Sequence, residues 1–185
     1  MRQNEYLETE DWKFSARMAF NQMNEYRHVY SQLSRDKKVK LAHHFYDLVF
    51  RCNDIPIEWE SENALYKKAA DRTPDHPFSA RVAHRAIMNE NQHFLDDFDL
   101  FKQEFYKLLQ RINMTPKENS GVKIKPDHNG DVIVPQYITE RYNRVRFFKN
   151  KKTREVSNEF PLDIPEWYGK YELSRIQANL SKFFG

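Results

Sequence analysis

The sequence predicts a mostly α-helical protein, in which a helical bundle is followed by a small α+β region and a short C-terminal segment. Apolar residues recur at steps of three and four over most of the first 112 residues, which is the period of an amphipathic helix. Only 4 glycines occur in 185 residues, so the glycine-rich turns of α/β enzymes and the loops that cradle phosphates are missing. The 14 Phe, 10 Tyr and 3 Trp supply enough surface for a core, although 31% of the residues are charged.

Residues 1–112 form the predicted helical domain. Ser34 or Asp36 is the expected N-cap of its second helix, and Pro56 lies beyond the end of that helix because proline cannot continue the backbone hydrogen bonds. Up to residue 112 the pattern is therefore typical of a helical bundle. The apolar stripes place its helices at about residues 10–33, 34–52, 61–70 and 79–112, with a loop at 71–77.

The second predicted region, residues 113–170, differs in character. Its polar stretch Thr115–Gly121 indicates a flexible joint, and residues 122–135 indicate a β-hairpin in which Asn129-Gly130 suits a type I′ turn. Helical spacing returns over residues 136–149. The remaining residues, 171–185, are predicted to be a partner-binding tail that ends in a short helix.

Positive charge is concentrated in the C-terminal third of the chain. Residues 1–120 carry 18 Lys and Arg against 19 Asp and Glu, whereas residues 121–185 carry 12 against 8. A run of cations without any acid can neutralise phosphates, and the interleaved Tyr142, Phe147 and Phe148 can stack on bases. The sequence therefore predicts a nucleic-acid-binding segment, and its cations are Arg141, Arg144, Arg146, Lys149, Lys151, Lys152 and Arg154.

The chain ends in QANLSKFFG, in which Gln177, Leu180, Phe183 and Phe184 follow the pattern Q-x-x-aliphatic-x-x-aromatic-aromatic. This segment resembles the PCNA-interacting peptide, or PIP box, which tethers replication and repair proteins to a sliding clamp. The resemblance implies that the segment forms a single tight turn on the clamp. Leu180, Phe183 and Phe184 would then enter an apolar pocket, and Gln177 would enter a polar one. The alternative is a short C-terminal helix whose apolar side chains pack onto the protein's own body.

The sequence gives no candidate catalytic residue, metal ligand set or cofactor site. Cys52, the single cysteine, is expected to be a small core residue, and it cannot form an internal disulfide or a cysteine-pair zinc site. No stretch is apolar enough for a membrane span or a signal peptide, so we expect an intracellular, reducing location: cytoplasmic, or nuclear in a eukaryote. A metal site formed by Glu90, His93 and Asp97 is the weaker alternative, since one Glu-x-x-His pair lacks its counterpart.

These observations predict a non-catalytic accessory protein of DNA replication, repair or transcription. Such a protein would dock on a sliding clamp through its tail and contact nucleic acid through its basic segment, because two weak contacts that are joined covalently give a useful affinity. The alternative is a helical structural or assembly protein, such as one from a virus, whose aromatic tail packs in its own fold or in a neighbouring subunit. The oligomeric state is not predicted.

Overall fold

The computed structural model describes residues 8–50, 55–122 and 137–184, and it describes only the backbone at residues 49, 50, 122, 179, 180 and 182–184. The described chain is mostly helical and carries a small five-stranded sheet, as the sequence predicts at this coarse level. Its helices are α1 Glu10–Tyr26, α2 Arg35–Phe45, α3 Glu62–Leu65, α4 Ala80–Glu90, α5 Phe98–Lys107, α6 Pro116–Val122, α7 Ile138–Arg141 and α8 Glu166–Phe184. Its strands are β1 Trp59–Ser61, β2 Thr73–Asp75, β3 Ile112–Met114, β4 Phe148–Asn150 and β5 Val156–Ser157.

The chain divides into two compact units. The first unit takes residues 1–56, 78–110 and 164–168, and the second takes residues 57–77, 111–163 and 169–185. Both units are therefore assembled from separate parts of the sequence. Residues 57–77, which the sequence analysis assigns to the helical domain, fall in the second unit.

The first unit has an aromatic core. The ring of Trp12 on α1 stacks on that of Phe105 on α5, with ring centroids 6.1 Å apart, and Phe45 at the end of α2 meets Phe105 edge to face at 4.9 Å. Offset and edge-to-face pairs of this kind stabilise a core beyond the area that they bury. Ser34 begins α2 as its N-cap, because its side chain accepts a hydrogen bond from the Lys37 amide.

The long helix predicted over residues 79–112 is broken into α4, α5 and β3. Asn91 leaves helical geometry at φ −128° and ends α4. Asp97 then begins α5, since its carboxylate accepts hydrogen bonds from the amides of Asp99 and Leu100. The apolar stripe continues through this break because a 3-10 turn, Gln92–Leu95, keeps Phe94 and Leu95 buried. The helix predicted over 10–33 likewise ends at Tyr26.

The second unit is built on a mixed sheet in the order β2-β3-β1-β4-β5. β1 lies in the middle, parallel to β3 and antiparallel to β4. The side chains of Ile112, Met114, Phe148 and Asn150 are buried, whereas the alternate residues of β3 and β4 are only half-buried. One face of the sheet therefore belongs to the core, and the other is polar.

Three local predictions for this unit are wrong. The helix predicted over 61–70 is only the single turn α3, since Ser61 and the two residues before it form β1. The joint at Thr115–Gly121 contains α6, because Thr115 and Glu118 form a capping box. The helix predicted over 136–149 is the short α7, a turn and then β4. The hairpin predicted at 122–135 lies outside the described residues, apart from the backbone of Val122.

The last helix is longer than predicted. α8 begins at Glu166, directly after Pro165, and its backbone is helical through Phe184. In the described residues, none of the helices combines the length and the apolar character that crossing a membrane requires.

Candidate nucleic-acid interface

The first residue of the predicted basic segment, Arg141, is buried. Its side chain is 7% exposed and lies 3.6 Å from the Glu172 carboxylate, while one guanidinium nitrogen donates a 3.0 Å hydrogen bond to the carbonyl of Pro77. Glu172 also accepts a hydrogen bond from the Ile138 amide. Arg141 is therefore a structural side chain of the second unit, and in this position it does not reach a phosphate.

The other six predicted cations lie at the surface or partly so. Arg144, Arg146, Lys151, Lys152 and Arg154 are exposed, and Lys149 is half-buried. Two of them approach acids: Arg146 is 3.7 Å from Glu62, and Lys151 is 3.8 Å from Glu60. These separations are long for charge-assisted hydrogen bonds, so both pairs are weak and leave the cations available to other anions.

Four of these cations lie on the hairpin of β4 and β5, and Arg144 and Arg146 lie in the turn just before it; we call this segment, residues 144–157, the cationic hairpin. β4 pairs antiparallel with β5, with Lys149 opposite Val156. The loop between the strands is held by Asn150, whose side-chain oxygen accepts hydrogen bonds from the amides of Lys152 and Thr153. Arg154 closes the loop in the left-handed region at φ 67°, with its amide bonded to the Asn150 carbonyl. The loop backbone is therefore ordered, and it presents its cations outward.

The cationic hairpin continues onto the polar face of the sheet. Glu60 lies opposite Asn113 on one side and Lys149 on the other, so these three side chains share a face. Glu60 is only 4% exposed because the Arg72 guanidinium pairs with it and the Asn113 amide donates a 3.2 Å hydrogen bond to it. The Glu60 carboxylate is thus surrounded by Arg72, Lys149 and Lys151, which bring three cations to the polar sheet face.

The polar sheet face also carries an aromatic ring. The Phe147 carbonyl accepts a hydrogen bond from the Glu62 amide, and the Lys151 amide donates one to the Glu58 carbonyl, so the ladder of β1 and β4 extends by a residue at each end. Side chains alternate along a strand, which places half-buried Phe147 on the same face as Lys149 and Lys151.

The other aromatic residues that the sequence suggests for stacking on bases are in the core. Phe148 is buried, and Tyr142 is buried with its hydroxyl donating to the Asp75 carboxylate and its ring centroid 4.9 Å from that of Phe160. In contrast, Tyr66 is 81% exposed, directly after α3. Tyr66 was not predicted as a site residue, because a helix over residues 61–70 gives no reason to single out one of its side chains.

The C-terminal tail is the end of α8. Gln177 is exposed, as are Ala178 and Ser181, and the backbone is helical at all four residues of the PIP-box pattern. The side chains of Leu180, Phe183 and Phe184 lie outside the part of the chain that is described. To form a tight turn on a clamp, this end of α8 would have to leave its α-helical conformation.

The weaker metal alternative is not assembled. Asp97 is the N-cap of α5 and accepts hydrogen bonds from two backbone amides, while the His93 ring contacts that of Phe94 in the preceding 3-10 turn, with the centroids 4.3 Å apart. Among residues 8–50, 55–122 and 137–184, no three His, Cys, Asp or Glu side chains come together in a group that could hold a metal ion. Cys52 is outside these ranges.

The candidate interface therefore consists of the cationic hairpin and the polar sheet face of the second unit. Comparisons of this chain with protein-family models, with curated proteins and with solved structures found no match.

Proposed function

We propose that this protein is a non-catalytic, intracellular accessory protein that binds nucleic acid through the cationic hairpin and the polar sheet face. The observation that carries the proposal is that six cations, from Arg144 to Arg154, lie along one short segment of β4, the turn before it and the loop after it, with five of them exposed and Lys149 half-buried. Cations held on an ordered strand and loop neutralise phosphates without losing much conformational freedom on binding. Three of the six are arginines, Arg144, Arg146 and Arg154, and the planar guanidinium fork suits phosphate oxygens. The helices of the first unit are proposed to form a bundle that serves as the scaffold.

The test is the salt dependence of oligonucleotide binding by the full chain. Arg144 and Lys152 are the best positions to change, since both are exposed and neither has an ion pair among the described residues. Changing both to glutamine should weaken binding and reduce the slope of log K against log salt by about 0.7 for each cation lost on a single strand. The matched control is the double change Lys37→Gln and Lys40→Gln, which removes two exposed lysines from α2. Equal binding by the two double variants would contradict the proposal.

We further propose that residues 177–184 dock on a sliding clamp. This rests on the PIP-box pattern of Gln177, Leu180, Phe183 and Phe184 and on the exposure of Gln177 at the end of α8. Clamp docking then places the cationic hairpin of the same molecule at a high effective concentration near DNA. The protein would act in replication, repair or clamp-coupled transcription.

Gln177 separates clamp docking from simple packing of an apolar tail. Full-length protein is titrated against the sliding clamp from the same source, with Gln177→Ala and the double variant Phe183→Ala, Phe184→Ala alongside. Docking of the PIP-box type requires all three side chains, so both variants should bind more weakly. Ala178→Ser is the matched control on the same turn. If the wild type does not bind, or if Gln177→Ala binds as the wild type does, the clamp proposal fails.

The alternative function is a structural or assembly role. It is favoured by Phe14 and Met18, which lie one turn apart on α1 and are 68% and 43% exposed. Apolar side chains that form a subunit contact are exposed in this way when the subunit is alone. Sedimentation equilibrium of the wild type and of Phe14→Ser, Met18→Ser distinguishes the two. Self-association that the double change abolishes supports assembly, and a monomer at all concentrations rejects it.

A further inference from the structure

We infer that the second unit binds single-stranded rather than duplex nucleic acid, with Tyr66 as a platform on which a base stacks. The inference deepens the proposed nucleic-acid function and rests on it. Tyr66 carries it because an aromatic side chain with 81% of its surface in water is unusual, and no hydrogen bond or ring contact to it occurs in the described part of the chain. Such a ring has a free face to offer a ligand.

The surroundings of Tyr66 suit a polyanion. Lys67 and Lys68 follow it directly, and both are exposed. The loop does not extend freely into solvent, because Arg72 donates two hydrogen bonds, of 3.0 and 2.8 Å, to the carbonyl of Lys67. The tyrosine is thus held between a helical turn and a backbone anchor, with two cations beside it.

Arg72 also connects this loop to the polar sheet face. The same guanidinium that binds the Lys67 carbonyl pairs with Glu60, the central carboxylate of that face. On the other side of Glu60 lie Lys149 and Lys151. Tyr66 is therefore beside the cationic surface that we propose for phosphates.

A second ring lies on the same surface. Phe147 shares the polar sheet face with Lys149 and Lys151, and it is only half-buried. Glu62 is the first residue of α3, four positions before Tyr66. Its carboxylate is 3.7 Å from the guanidinium of Arg146, the residue that precedes Phe147. Tyr66 and Phe147 are therefore each close to cations of the second unit.

Aromatic platforms distinguish single strands from duplexes. In a duplex the faces of the bases are already stacked on one another, so an exposed ring gains no contact. In a single strand each base can stack on a ring while the phosphates follow the cations, and this mode is tolerant of sequence. The expected ligand is therefore single-stranded DNA or RNA, which share this chemistry.

The test is fluorescence anisotropy of full-length protein with three labelled ligands of about 16 nucleotides: oligo-dT, oligo-rU and a mixed-sequence duplex. Tyr66→Ala should weaken binding to single strands about tenfold and leave duplex binding nearly unchanged. Tyr66→Phe keeps the ring and should bind as the wild type does. The dT and rU arms identify which polymer is preferred. Because the side chain is exposed, Tyr66→Ala should unfold at the wild-type temperature, which checks that the fold is intact.

The possible failures are distinct. If Tyr66→Ala binds single strands as tightly as the wild type, while the variant with Arg144→Gln and Lys152→Gln binds more weakly, the stacking inference is wrong and the proposed function stands. If the wild type prefers the duplex, the single-strand inference is likewise wrong. If the wild type binds none of the three ligands, both the inference and the proposed function fail.

Discussion

Arg141 and Glu172 form a buried ion pair in the second unit, with 3.6 Å between the guanidinium nitrogen and the carboxylate oxygen and both side chains 7% exposed. Burial raises the pKa of Glu172, whereas Arg141 and the hydrogen bond from the Ile138 amide act in the opposite direction. The pair ties the short helix α7 to α8. It also explains why one member of a basic run has a structural role and its neighbours do not.

Removing the cation of this pair should destabilise the protein strongly. Arg141→Met leaves the Glu172 carboxylate buried without its partner, which costs about 3–5 kcal/mol of the free energy of unfolding. Arg144→Met, three residues further on, changes an exposed side chain and should change the free energy of unfolding by less than about 0.5 kcal/mol. Urea unfolding at pH 7 measures both. Similar losses for the two variants would show that the Arg141 pair is not the structural contact described.

Glu118 should make the stability depend on pH in the acid range. Burial opposes its ionisation, but hydrogen bonds from Thr115, Asn63 and Ser61 outweigh burial and lower the pKa of Glu118. A carboxylate with a lowered folded-state pKa stabilises the fold above its unfolded value of 4.5, and this contribution is lost as the pH falls through the folded-state pKa. Glu118→Gln should therefore cost about 1–3 kcal/mol at pH 7 and progressively less below pH 4.5.

The measurement is urea unfolding of the wild type and Glu118→Gln from pH 7 down to pH 3. A difference between the two proteins that stays constant over this range would contradict the assignment.

His84 in the first unit should also make the stability depend on pH, and this effect should begin at a higher pH than that of Glu118. It is fully buried among Tyr26, Tyr30 and Phe45, and its Nε2 lies 2.8 Å from the Tyr26 hydroxyl. Burial, with a smaller effect of Arg85, lowers the pKa of His84 to about 3. Between pH 6.5 and about 3 the unfolded chain binds a proton that the folded chain does not. Stability should therefore fall as the pH falls, by up to about 1.4 kcal/mol per pH unit.

His84→Gln removes this titration. The free energy of unfolding of the His84→Gln variant should be lower than that of the wild type at pH 7.5. The difference between the two proteins should be smaller at pH 5. NMR of the wild type should show a His84 ring that remains neutral at pH 5, and a ring that titrates near pH 6.5 would contradict the prediction.

Arg154 offers a test of the hairpin loop. At φ 67° a side chain with a branched Cβ is strained, whereas glycine adopts this conformation freely. Arg154→Gly should leave the unfolding temperature unchanged or raise it, and Arg154→Val should destabilise by about 1–2 kcal/mol. Both changes remove the same charge, so they should weaken oligonucleotide binding to a similar extent. A valine variant as stable as the glycine variant would show that the loop is not closed in this way.

The sequence predicted the parts of the fold that depend on local pattern. The mostly helical class was confirmed, and of the two N-cap candidates for α2, Ser34 and Asp36, the structure has Ser34, because apolar periodicity and capping are local signals. The five-stranded sheet was not predicted, since its strands are only two or three residues long and come from distant parts of the chain. So short a strand has no recognisable alternation of its own.

The candidate site was predictable in part. The run of cations from Arg144 to Arg154 is visible in the sequence, and the structure places these residues at or near the surface. The burial of Arg141 depends on Glu172, 31 positions away, and on the carbonyl of Pro77, 64 positions away, so no local pattern reveals it. Tyr66 was missed for a related reason: α3 ends after Leu65, and Arg72 fixes the following loop through contacts that appear only in the fold.

The central claim is that nucleic acid binds to one surface of the second unit, and an NMR titration of the full chain tests it most directly. On addition of single-stranded oligonucleotide, we expect the largest amide shifts in residues 66–72 and 144–154, and small shifts in the exposed residues of α1 and α2. These shifts should disappear when salt is raised to about 1 M, where screening removes phosphate contacts. Shifts that map to α1 and α2, or no shifts at low salt, would contradict the claim.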